Sequence, residues 1–136
     1  MCWVQVPPSS GCLTFSLGQD PDKLPVSVHE VLLGDVEPDV ALVSTTEGMT
    51  LLPANIDLAG AEAMLLMRAG REYALKRALA KVADQFDVVI IDCPPSLGVL
   101  TLNGLTAAND VVVPLQCETL AHRGVGQLLR TVNEVQ

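Results

Sequence analysis

Aromatic residues are almost missing from this chain: two Phe, one Tyr and one Trp make up 3% of 136 residues. The core must therefore be filled by Val, Leu, Ile and Ala, and hydrophobic residues as a whole reach 49%. That share excludes disorder, and the length corresponds to one domain around one sizeable core. Positive charge is short as well. Eight Lys and Arg face sixteen Asp and Glu, a formal charge of -8, so the overall balance provides no electrostatic footprint for nucleic acid or anionic lipid. Any DNA contact is expected to use a basic surface outside this chain. The four cysteines include no C-x-x-C pair and have no His at ligand spacing, which argues against zinc and for free thiols in a reducing cytosol. The start, "MCWVQVPPSSGCL", has no basic region and no continuous apolar stretch. No run approaches the roughly 20 apolar residues of a membrane span. A cytoplasmic protein without membrane association is the expectation.

Residues 1–25 are punctuated by Pro7, Pro8, Pro21 and Pro25 and read as an irregular lead-in. Over Val26–Asp35, Ser27 predicts an N-cap, Glu30 its capping-box partner and Gly34 the stop of a short helix. "MTLLPA" reads as a short strand closed by Pro53. The next helix is bounded by Asp57 and Gly70, with Leu58, Ala61, Leu65 and Leu66 as its apolar stripe. In "REYALKRALAKVADQ", Leu75, Ala78, Leu79 and Val82 follow helical spacing, and Glu72 with Lys76 predicts an i,i+4 pair. "DVVIID" is a continuous apolar run, as in a strand covered on both faces of a parallel sheet. "VLTLNGLTAAN" predicts a helix, and "DVVVPLQ" a second such strand that Pro114 ends or leaves open on one side. Helical spacing returns at Val125, Leu128, Leu129 and Val132. Strand and helix alternate, so the fold class is α/β, a parallel sheet with flanking helices.

In open α/β sheets, ligands gather at the carboxyl ends of the strands. Asp92 ends such a strand, and a carboxylate there can hold a hydrated magnesium ion suited to nucleotide phosphates. Pro94 biases Cys93 toward extended geometry, Pro94 and Pro95 cannot donate to a ladder, and Gly98 permits a turn. From these residues alone, an acid capping a nearby helix or loop explains Asp92 equally well. A phosphoreceiver domain would also place an Asp at a strand end, but needs an acidic pair after its first strand and a Lys after its last, and neither is visible. His29 and His122 fall on helices without a nucleophile beside them. The neighbouring Asp92 disfavours a Cys93 thiolate.

Three blocks together resemble one family. "DVVIIDCPPSLGVLTLNGLTAANDVVVPLQCETLAHRGVGQLL" is similar to the Walker B region of the ParA/Soj branch of the ParA/MinD family of deviant-Walker partitioning ATPases. "LLPANIDLAGAE" (Leu51–Glu62) and "GCLTFSLG" (Gly11–Gly18) are similar to two further segments, in the family's order and spacing. The resemblance spans about residues 11–135 and implies a P-loop NTPase fold of the SIMIBI type. It also implies ATP and magnesium as cofactors, a sandwich dimer, nonspecific DNA binding and a ParB-like partition protein as partner. Asp92 then corresponds to the acid that orders magnesium, through water. Pro94 and Pro95 lead into the nucleotide-sensing loop that ends near Gly98. Glu118 and Thr119 fall where the family builds a further edge of its active site.

The chain departs from that pattern at two places. No stretch reads G-x-x-x-x-G-K followed by Ser or Thr, the loop whose amides wrap phosphates, and Lys23, Lys76 and Lys81 all lack a preceding Gly. The family's acidic segment before "GCLTFSLG" is replaced by "VQVPPSSG" (Val4–Gly11), which has no Asp. Residues 1–10 are therefore expected to be an atypical lead-in and 11–136 the central part of a ParA-like domain, its upstream portion lost or read in another frame. ATP hydrolysis by the chain as it stands is not expected. The alternative reading is a non-catalytic module that binds a partition protein, a full-length relative or itself.

Overall fold

A computed structural model describes residues 2–5, 12–46, 48–54, 58–93, 98–113, 126 and 129–133. Four strands form one sheet in the order β2-β3-β1-β4: β1 is Cys2–Gln5, β2 Val43–Ser44, β3 Thr50–Leu52 and β4 Val89–Asp92. β1 runs parallel to both β3 and β4, placing Val4 opposite Ile91 and Gln5 opposite Asp92. β2 joins β3 as an antiparallel edge. The connection is tight because Thr45 Oγ1 accepts from Met49 N at 3.2 Å and Gly48 supplies a left-handed residue at φ 77°.

Around the sheet lie α1 (Cys12–Ser16), α2 (Val28–Leu33), α3 (Pro38–Ala41), α4 (Leu58–Leu66), α5 (Ala74–Leu79) and α6 (Val99–Ala107). The start of α2 follows the sequence closely. Ser27 Oγ accepts from His29 N at 3.2 Å while Glu30 Oε2 accepts from Ser27 N at 2.8 Å, and Gly34 closes the helix at φ 72°. α2 packs on α4 and α5, and α5 on α6. One continuous core results. Val28, Leu52, Leu65, Leu75, Leu79 and Leu100 are among its members, and the spacing of Leu75, Ala78, Leu79 and Val82 on α5 and the turn after it buries all four as expected.

The structure corrects several sequence expectations. Residues 2–5, placed in an irregular lead-in, form a strand with neighbours on both sides. Four residues carry too little local pattern; their ladder partners at residues 50–52 and 89–92 decide the strand. Leu66, assigned to the apolar stripe of α4, is 53% exposed while Leu65 is buried, because adjacent helical residues point about 100° apart. α4 ends at Leu66, and Gly70, left-handed at φ 64°, opens the next 3-10 turn, Arg71–Tyr73. Glu72 lies in that turn and not on α5, so the pair with Lys76 does not form; the ion pairs among the described residues are Lys23–Asp20 and Lys81–Glu37. Residues 111–113 form neither strand nor helix, and Val112 is 90% exposed. A strand exists through a neighbour's hydrogen bonds, and among the described residues the sheet ends at β4. From Pro114 to residue 125 the expected strand end and helix start lie outside the described residues, while 129–133 are helical.

Candidate functional site at the carboxyl end of β4

β4 carries Val89, Ile90 and Ile91 half-buried into the sheet and delivers Asp92 to solvent at its carboxyl end. The other parallel strands end on the same side. β3 stops at Pro53, whose carbonyl accepts from Val28 N at 2.7 Å, and Ala54 N donates to Thr14 Oγ1 at 3.3 Å. The middle of α1 and the start of α2 are thereby tied to this end of the sheet. Partial removal from water raises the Asp92 carboxyl above its ordinary value of 3.8, and among the described residues no cation pairs with it. A carboxylate with nothing positive to balance it suits an external cation. Magnesium keeps most of its waters and takes one or two carboxylates together with phosphate oxygens. Asp92 fits that donor set, and no cluster of three or more His, Cys, Asp or Glu among the described residues suggests a protein-only cage.

Cys93 follows and turns inward. Burial first, and the Asp92 charge second, push its thiol up to about 11, so it is a protonated packing group at neutral pH. What it packs against is Gly104 on α6. A Cβ built on Gly104 would stand 2.3 Å from Cys93 Sγ, closer than any real contact, so the thiol occupies this position against the helix because residue 104 has no side chain.

Gly98 is the N-cap of α6 with φ −85° and ψ −179°. That is an extended conformation open to any residue, so the turn freedom expected of this glycine is not used. The body of α6 is anchored by Asn103, which is fully buried. Its Oδ1 accepts from Leu75 N at 2.9 Å, and its Nδ2 donates to Arg71 O and Val99 O at 2.8 Å each. Thr106 Oγ1 adds a bond to Glu72 O at 2.6 Å. Asp92 thus ends β4 and Gly98 starts α6, a helix whose body is held in place by its own Asn103 and Thr106 side chains. Pro94, Pro95, Glu118 and Thr119 lie outside the described residues. Sequence reasoning missed the roles of Asn103 and Gly104, although Asn-Gly inside a helical pattern is a signal worth questioning.

The family model described as "AAA domain" matches residues 8–136. Sporulation initiation inhibitor protein Soj of Bacillus subtilis is 46% identical over 127 residues, covering 93% of this chain and 50% of that protein. The chain belongs to this family, on its ParA/Soj branch. Chromosome-partitioning ATPase Soj of Treponema pallidum is 47% identical over 112 residues, covering 82% of this chain and 44% of that one. Among solved structures, a Mycobacterium smegmatis protein named cobyrinic acid a,c-diamide synthase, with bound ATP analog and magnesium, is 84% identical. It superposes with a TM-score of 0.94 over 99% of this chain and 55% of its own. The fold is therefore the α/β P-loop NTPase fold of ParA/MinD-type ATPases. The chain spans about half the length of the curated relatives it matches.

Proposed function

We propose that this chain is the magnesium-ordering part of a cytoplasmic ParA-like partitioning ATPase. In this reading Asp92 holds a hydrated magnesium ion against ATP phosphates, while Pro94, Pro95, Gly98 and Glu118 border the nucleotide. The observation that carries it is the exposed Asp92 carboxylate, without a cationic partner among the described residues, at the end of a parallel strand in a Soj-like fold. Bound magnesium would neutralise phosphate charge, and Asp92 would orient it by accepting hydrogen bonds from its waters. A ParB-like partition protein and nonspecific DNA are the partners of the whole assembly. The 136 residues by themselves do not turn over ATP, because they contain no phosphate-cradling loop and no acid in the segment before Gly11. The alternative to this reading is a non-catalytic module that binds a partition protein or a full-length relative.

Manganese in place of magnesium tests the site directly. In amide NMR spectra, Mn2+ with ATP should broaden signals around residue 92 in the wild type and not in Asp92→Asn; equal broadening in both would remove Asp92 from the role. Magnesium-dependent ATP turnover by the wild-type chain, lost in Asp92→Ala, would overturn the non-hydrolysing part. The name of the Mycobacterium smegmatis relative at 84% identity favours a second reading, an ATP-dependent amide synthase. Conversion of cobyrinic acid to its diamide in the presence of ATP and glutamine would establish that reading, and absence of product would leave the partitioning one.

A further inference from the structure

The chain's few cations are not spread evenly. Arg68, Arg71, Arg77 and Lys81 are four of its eight basic residues, and all four line one cavity of about 270 Å³. The cavity lies between the end of α2, the end of α4 and α5, away from the strand end that carries Asp92. Glu37 is the one acid in its lining, and Lys81 already neutralises it, with Nζ 2.6 Å from Oε2. The three guanidiniums make no ion pair among the described residues, although the chain has twice as many acids as bases.

Each guanidinium is held in place by a neutral acceptor. Arg68 donates to Leu33 O, Arg71 to Leu66 O at 3.0 Å and Arg77 to Gly70 O at 3.0 Å. Arg68 and Arg71 thereby satisfy carbonyls at the ends of α2 and α4, a structural role that uses one of five N–H donors apiece. The remaining donors and the full charge stay exposed at the rim. Below them the cavity is apolar, floored by Leu33, Leu65, Ala74 and Ala78.

We propose that this cavity binds an acidic segment of a partner protein, one whose Asp or Glu carboxylates meet the arginines while an apolar side chain enters between them. Planar guanidiniums match carboxylates two bonds at a time. Both halves of the lining are then used. An inorganic phosphate would leave the apolar floor unmatched. A DNA duplex is too wide for a space that holds roughly nine waters by volume, and the chain's net charge of -8 repels its backbone.

Fluorescence anisotropy on the whole chain tests this with a labelled peptide that alternates Leu with Asp and Glu. Its Asn and Gln counterpart, inorganic phosphate and a short random-sequence duplex serve as competitors. The acidic peptide should bind, lose affinity as salt shortens the Debye length, and weaken about tenfold in Arg71→Glu/Arg77→Glu, where attraction becomes repulsion at two exposed pairs. Arg71→Gln/Arg77→Gln, which keeps amide donors for Leu66 O and Gly70 O, should weaken it by about threefold with an unchanged circular dichroism melt. No binding of the acidic peptide, equal affinity for the amide peptide, equal affinity in the glutamine variant, or displacement by phosphate or duplex at lower concentration than by the acidic peptide would each overturn the proposal.

Discussion

Gly104→Ala sets two opposing effects against each other, and the structure decides between them. In the middle of α6, alanine is favoured over glycine by up to about 1 kcal/mol of helix propensity. The new Cβ, however, would lie 2.3 Å from Cys93 Sγ, whereas non-bonded heavy atoms rest at about 3.5–4.0 Å. More than 1 Å of relief must come from rotation of the largely buried Cys93 side chain, from the strand end or from the helix. Neither backbone element moves freely: β4 is paired to β1, and Asn103 and Thr106 hold α6 to the chain before α5. Overpacking of this kind costs about 1–3 kcal/mol, so a net loss of about 1–2 kcal/mol is expected in urea unfolding, read as a lower midpoint at constant slope. The remaining neighbours, Cys93 Cβ at 3.9 Å and Ile91 Cγ2 at 3.5 Å, are ordinary contacts. Cys93→Ala removes the clashing atom alone, so Cys93→Ala/Gly104→Ala should be at least as stable as Cys93→Ala, a coupling of about 1–3 kcal/mol. If Gly104→Ala is neutral and the two substitutions add without coupling, the close approach of strand end and helix is wrong.

Asn103→Ala deletes two buried hydrogen bonds and one partly buried one and leaves Leu75 N without its acceptor; about 1–3 kcal/mol should be lost in the same titration, and a neutral result would deny the anchoring of α6. Acid stability divides by residue. For Glu30, burial acts upward, but hydrogen bonds from Ser27 N, its own N–H and Ser27 Oγ, with His29 nearby, outweigh it and leave the carboxyl below 4.5. Its contribution is therefore present above 4.5 and lost as pH falls through the depressed folded value. Ser27→Ala should lower stability at neutral pH by about 1 kcal/mol and reduce that loss in acid, checked by thermal melts between pH 3 and 7. Asp92 has the opposite sign. Its raised carboxyl destabilises the fold as pH climbs above 3.8, so Asp92→Asn should melt no lower than wild type at pH 7 in the absence of metal; a lower melt would contradict the uncompensated carboxylate. The Cys93 thiol, pushed up to about 11, should react with iodoacetamide at pH 8 far more slowly than it does in urea, as followed by peptide mass spectrometry.

The amino-acid sequence by itself determined whatever depends on residues within one or two turns. Ser27, Glu30 and Gly34 state a helix's start and stop because capping bonds reach only three or four positions along the chain. The spacing of Leu75, Ala78, Leu79 and Val82 names a buried face for the same reason. "DVVIID" announces a strand that ends in an acid, found at Val89–Asp92 though only half-buried, and with the blocks around it places the chain in its family. Tertiary structure decided what depends on partners far along the chain. Cys2–Gln5 are a strand because residues 50–52 and 89–92 offer ladders on both sides, and 111–113 are none because no described neighbour does. Gly104 reads as a weak point in a helix until Cys93 is seen against it. A net charge of -8 conceals three arginines around one cavity, since composition sums charges that only folding can separate in space.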